Sequence, residues 1–141
     1  MKRAEEFLTI NCDELDWEDG QRVIGLPKGV QVKIIAEGSD DVSERVDKFV
    51  KFPPGYVEPL HIHDHLHSTL IIEGEMHLHG KILKRGDFMF GGPGEQHGPM
   101  HYPKGCTVFS CSRASKMNQI HRSPEAGRDS DLTGDNSGEE E

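Results

Sequence analysis

The chain has little of what would place it among nucleic-acid, membrane or cysteine-zinc proteins. Its 16 Lys and Arg are outnumbered by 25 Asp and Glu, for a formal net charge of −9. Binding phosphate backbones needs a basic face, so this balance argues against a nucleic-acid partner. No apolar stretch approaches the roughly 20 residues of a membrane-spanning helix. The opening MKRAEEFLTINCDELDWEDG holds no uninterrupted apolar run of signal-peptide length. Membrane association is therefore not expected. The three cysteines, Cys12, Cys106 and Cys111, form no CxxC pair, which removes a cysteine-built zinc knot. An odd set of thiols, two of them in an apparent strand as small hydrophobes, fits a reducing cytoplasmic setting.

Apolar residues are scarce too, at 33%, and they are unevenly spread. From Ser123 onward the sequence reads SPEAGRDSDLTGDNSGEEE, with no aromatic residue and Leu132 as its one large aliphatic. Such a segment cannot bury enough apolar surface to offset the entropy of ordering it. Residues 122–141 are read as an acidic disordered tail, carrying −5 of the net charge and leaving a mildly acidic body. At 141 residues the rest is long enough for one domain with a real core. The division expected is an N-terminal extension or edge strand over 1–12, a β-barrel over 13–121 and the tail over 122–141.

What the body does have is strand periodicity. Val30, Val32 and Ile34 alternate with Gln31 and Lys33, the mark of a half-buried strand. Further strands are expected over 45–52, 68–72, 76–79, 81–84, 87–90 and 106–110. Gly80, Arg85-Gly86, Gly91-Gly92-Pro93-Gly94 and Pro103-Lys104-Gly105 separate them as turns. Only residues 3–8 and 112–121 could form short helices. Many short strands at regular spacing predict an all-β sandwich or barrel. Ile71, Phe88, Met89, Phe90 and Phe109 are the expected core and cavity wall.

The chain also has histidine in an unusual arrangement: eight of its nine histidines fall between residues 61 and 101. Three of them lie in the pattern Gly55-x5-His61-x-His63-x3-His67-x6-Gly74, and His97 lies eleven positions after Gly86. Residues two apart on a strand share a face, so His61 and His63 can point the same way. A bend would then return His67 to the same point, with His97 arriving from a distant hairpin. A single histidine is usually a solvated or satisfied one. Neutral imidazoles converging from separate segments can surround one divalent transition metal. The expected metal set is His61, His63, His67 and His97, with a neighbouring pocket residue as the alternative reading of His67.

The other histidines read differently. His65 falls in the bend and is expected at the rim, while His77 and His79 alternate with Met76 and Leu78 and should face outward. His121 adjoins the tail. His101, four residues past His97, is the candidate pocket residue for proton movement. Glu95, Tyr56 and Tyr102 are weaker candidates, Glu95 for orienting a ligand and the tyrosines for offering a hydroxyl.

These motifs resemble those of the cupin superfamily, small jelly-roll barrels with a metal in the barrel mouth. The family's first motif is G-x5-H-x-H-x3–4-E-x6-G; Gly55, His61, His63 and Gly74 match it, and His67 stands at the glutamate position. The second is G-x5-P-x-G-x2-H-x3-N; Gly86, Gly94 and His97 match in register, with Gly92 in place of the proline and His101 in place of the asparagine. Asp16-Trp17 through Pro27-Lys28-Gly29-Val30 and the following strand resemble the start of ChrR-like cupins. The resemblance spans roughly residues 13 to 113. It implies a single-domain cupin jelly-roll β-barrel with a small-molecule substrate and a homodimer, the segment Phe7-Leu8-Thr9-Ile10 being the candidate pairing edge.

ChrR-like cupins include acetylacetone-type dioxygenases and the regulatory domain of a zinc anti-sigma factor. The resemblance thus implies a metal-dependent dioxygenase acting on a small enolisable carbonyl compound, a diketone or hydroxyketone. The expected cofactor is one divalent transition metal per chain, Fe(II) first, with Zn, Mn, Ni or Cu as alternatives. The alternatives in function are a non-redox metal-dependent isomerase or lyase, and a non-catalytic metal- or ligand-binding cupin. Replacing the motif glutamate by His67 leaves the expected site more positive by one charge, a stronger Lewis acid and a better trap for anions.

Overall fold

The computed structural model describes residues 2–3, 7–39, 43–63 and 66–115. The tail over 122–141, His65 and His121 lie outside the described residues. Strands dominate: β1 (Lys2–Arg3), β2 (Glu18–Asp19), β3 (Gln31–Ser39), β4 (Ser43–Phe52), β5 (Tyr56–Glu58), β6 (His61–Ile62) and β7 (Leu66–Gly74) come first. Then follow β8 (Met76–Leu78), β9 (Lys81–Leu83), β10 (Phe88–Gly91), β11 (Gln96–His97), β12 (Met100–Tyr102) and β13 (Cys106–Ser115). One short helix, α1 (Gly20–Ile24), precedes β3. The chain is all-β, as the periodicity predicts.

The main sheet runs in the order β1-β3-β4-β13-β7-β10, with β2 paired to β3; a four-stranded sheet runs β5-β12-β8-β9, and β6 pairs with β11. Apart from β1 beside β3, every pairing is antiparallel. Period-two alternation decides what each strand turns inward. Val32, Val50, Val108 and Ile71 are buried and meet in one core with Met76, Met100 and Tyr102. The Tyr102 ring stacks on Phe52, centroids 4.2 Å apart and 4° from parallel.

Several expectations are corrected. Phe88 and Phe90 are 62% and 61% exposed, because alternation along β10 turns Met89 inward and both phenylalanines out. Phe109 packs edge-on against Phe49, its cross-strand neighbour, instead of lining the cavity. Phe7 to Ile10 forms no strand among the described residues, and Phe7 is 97% exposed. Residues 112–115, expected as the start of a helix, extend β13, where they pair with β4 along their whole length. Helix α1 is too short for an amphipathic period. It is set by its ends: the Asp19 side chain accepts from the Gln21 N–H at 3.2 Å, and Gly25 closes it at φ +74°.

The last glycine of the first motif has a steric reason. Gly74 sits at φ +85°, and a Cβ there would fall on the Gly105 carbonyl oxygen and within 2.8 Å of the Cys106 Cα. Gly80, at φ +76°, has open space around the same atom. Gly74→Ala is expected to lower unfolding free energy by about 2–4 kcal/mol, and Gly80→Ala by only about 1–2 kcal/mol. Urea denaturation of the two variants measures the difference; equal losses would show that the close approach at Gly74 is relieved without cost.

Candidate metal centre

Cross-strand pairing assembles the site. His97 on β11 lies directly opposite His61 on β6, and opposed residues of an antiparallel pair put their side chains on one face. His63 follows two residues on, and its carbonyl accepts from the Gly94 N–H at 2.8 Å, which ties the loop before His97 to the histidine strand. His67 enters from β7, where it is paired with Ser112 on one side and Gly91 on the other. A Cβ at Gly91 would stand 2.5 Å from the His67 Nε2, so the glycine leaves the room this ring occupies.

The four rings converge. Centroids of His61 lie 4.6 Å from His63 and 4.3 Å from His97; those of His67 lie 4.8 Å from His63 and 5.3 Å from His97. Ligand atoms of His61, His63 and His97 all fall within 4.8 Å of one another, a cluster able to hold a metal ion. His61 is fully buried, and its Nδ1 lies 2.7 Å from the Pro59 carbonyl oxygen. That acceptor requires a proton on Nδ1, which leaves the neutral ring with its lone pair on Nε2. The His61 and His63 Nε2 atoms are 3.0 Å apart. Neutral imidazoles converging this closely are donors that would suit a divalent transition metal.

Sequence reasoning missed two charged residues at the site. Glu58, at the end of β5, lies with Oε2 3.7 Å from the His61 Nε2, while its Oε1 accepts from the Tyr102 hydroxyl at 2.8 Å. Burial and the adjacent Glu58 carboxylate hold the Tyr102 hydroxyl well above its ordinary pKa, so it remains a proton donor. Lys48 on β4 turns inward beside the same cavity. Nothing in the spacing around Glu58 marks it, but the alternation Val46, Lys48, Val50, Phe52 does put one lysine on an apolar face.

The cavity behind the histidines encloses about 320 Å³, near the lower end of the roughly 300–1,000 Å³ range of small-molecule sites. Leu26, Val46, Val50, Met89 and Val108 supply much of its apolar wall. His101 is not brought to it. After His97 the stretch Gly98-Pro99 interrupts the ladder, and on β12 the buried Met100 and Tyr102 take the inward positions. His101 is exposed between them, opposite His77 with ring centroids 6.0 Å apart. His77 is half-buried with its Nε2 3.2 Å from the Glu75 Oε1, and His79 is exposed, both off the cavity as expected. Glu95 is exposed in its loop, and Tyr56 packs at 5.7 Å on Phe52 without lining the cavity.

An all-β barrel with a histidine cluster at one end of an apolar cavity defines the class of the protein. A family model described as the ChrR cupin-like domain matches residues 5–116, and the chain belongs to that family. Among solved structures, an RmlC-like cupin from Shewanella frigidimarina matches at TM-score 0.59 and 21% identity, covering 81% of this chain and 96% of its own. An acetylacetone dioxygenase from Acinetobacter johnsonii matches at TM-score 0.56 and 17% identity, over 77% and 73%. The anti-sigma ChrR of Rhodobacter sphaeroides, solved with SigE, matches at TM-score 0.55 and 18% identity, over 72% and 51%. At these identities the likeness is one of fold. No curated protein matches the chain.

Alanine at His61, His63 or His97 is expected to weaken Zn(II) or Co(II) binding by roughly 100-fold or more, beyond the 10–100-fold typical of losing an outer-sphere partner. Gly91→Ala, which displaces only the His67 ring, should cost about tenfold, and His101→Ala less than about twofold. Titration calorimetry on the metal-free protein reads all five. Full affinity in His61→Ala would remove the cluster from consideration as a metal centre.

Proposed function

We propose that the protein is a metal-dependent dioxygenase for a small enolisable carbonyl compound, with His61, His63 and His97 holding the metal and His67 completing the set. The observation that carries this reading is the imidazole cluster, with His61 fixed by the Pro59 carbonyl, opening onto an apolar cavity. Fe(II) is the metal of choice because it would supply both Lewis acidity toward an enolate and one-electron chemistry with dioxygen. The likeness in fold to an acetylacetone dioxygenase supports the dioxygenase reading.

The protein's own groups then have defined tasks. Glu58 accepts the acidic C–H proton of the bound carbonyl compound at Oε2, the oxygen nearer His61. The Tyr102 hydroxyl, donating to Oε1, keeps the carboxylate in place. One carboxylate beside four neutral imidazoles returns the charge that the missing motif glutamate would have brought, so the site with a divalent ion is less cationic than the histidines alone imply. The apolar wall excludes water from the reacting carbons. The free cysteines Cys12, Cys106 and Cys111 accord with a reducing cytoplasm, and among the described residues no helix is long and apolar enough to cross a membrane. A homodimer belongs to the same reading. Phe49, Phe109, Leu70 and Phe88, aligned across four strands on the outer face, are the apolar row that would support it.

Iron-loaded protein is expected to consume oxygen with pentane-2,4-dione or a hydroxyketone, and metal-free protein is not. Glu58→Gln should retain one metal per chain while losing on the order of 100-fold in kcat, read with an oxygen electrode. Absence of uptake with every such substrate, in protein that carries zinc alone when purified without a tag, would instead assign a non-redox Lewis-acid enzyme.

A further inference from the structure

The cavity wall carries a cation, Lys48, that makes no ion pair among the described residues. Along β4, the inward positions are Val46, Lys48, Val50 and Phe52, while Arg45 and Lys51 are exposed at outward positions. A lysine serving only solubility belongs with the second set. Instead the Lys48 side chain is part-buried among cavity residues and donates to the Ser112 Oγ at 3.4 Å. Among the described residues it makes no ion pair. Its chain neighbour Asp47 faces the other side of the sheet and is engaged by Arg45 at 3.0 Å. Glu58, which lines the same cavity, accepts from Tyr102 and lies beside His61.

An ammonium in an apolar wall is unfavourable without a partner, and burial accordingly pushes the Lys48 pKa down. Its surroundings are polar on one side only. Ser110 lies across from Lys48 on β13 and from Thr69 on β7, and Ser112 lies across from His67. Lys48, Ser110, Ser112 and Thr69 therefore form a polar strip on the inner face of three adjacent strands, ending at the histidines. Adjacent strands are about 4.8 Å apart, so the strip brings the ammonium to the histidine end of the cavity.

We infer that Lys48 is a specificity-determining residue that binds a carboxylate of the substrate, which makes an enolisable keto acid the preferred substrate over a neutral diketone. This rests on the proposed function for the chelating half of the molecule. The carboxylate half is carried by Lys48 and the hydroxyl strip. A compound bearing both groups would place its carbonyl oxygens at the histidines and its carboxylate at Nζ, within a cavity of about 320 Å³. The lysine then gains the direct ion pair that it lacks among the described residues.

Calorimetry on the zinc-loaded full chain, which turns nothing over by oxidation, tests this with two probes. These are 2,4-dioxopentanoate and pentane-2,4-dione, which differ by the carboxylate. The wild type is expected to bind the acid at least about tenfold more tightly. Lys48→Met should bring the two within about threefold of each other through lost affinity for the acid, with Lys48→Arg retaining part of the preference. Should Lys48→Met fail to fold, Lys48→Gln takes its place in the same comparison. Equal affinities in the wild type, or an undiminished preference in the Lys48 variants, would overturn the inference and leave the proposed function standing. If neither probe binds the zinc-loaded protein better than the metal-free protein, the proposed function falls, and this inference falls with it.

Discussion

The pairing of His61 with His97 across β6 and β11 is the constraint on which the rest of the site depends. It makes neighbours of two residues that the sequence places far apart, and antiparallel geometry then fixes both side chains on one face. The surroundings also hold the His61 ring. It is buried, its Nδ1 is committed to the Pro59 carbonyl, and its Nε2 faces His63. The loop that delivers His97 is tied back by the hydrogen bond from Gly94 to the His63 carbonyl. The second motif's glycine therefore belongs physically to the first motif's histidines.

Around that fixed point the cavity is electrically uneven. Glu58 and the Tyr102 hydroxyl stand on the His61 side, and Lys48 with its hydroxyl strip stands on the His67 side. Much of the surrounding wall is apolar, a setting that strengthens such interactions. On the proposed reading, a substrate held at the histidines would meet the Glu58 carboxylate on the His61 side and the Lys48 ammonium on the His67 side. The replacement of the motif glutamate by His67 thus does not leave the centre without a carboxylate. The carboxylate approaches from β5.

Much of the fold was legible because alternation is a local property. Most of the expected strands appear within a few residues of their observed limits, and Met76 and His77 part to opposite faces as their spacing requires. Phe88 and Phe90 were misjudged because hydrophobicity says how favourable burial is and not which face of β10 turns inward. Met89, between them, takes the cavity position. His101 failed for a related reason. Counting parity from His97 assumes a continuous strand, and Gly98-Pro99 breaks it.

The sequence by itself determined the family, the all-β architecture and the four converging histidines, since each depends on residue type at a fixed spacing along one short stretch. Only the tertiary structure decided the company those histidines keep. Glu58, Tyr102 and Lys48 reach the site from β5, β12 and β4, whose register is set by pairing between distant segments and by the β3–β4 and β7–β13 irregularities. No local pattern encodes such a register, because the free energy that fixes it comes from burying the faces of whole strands together.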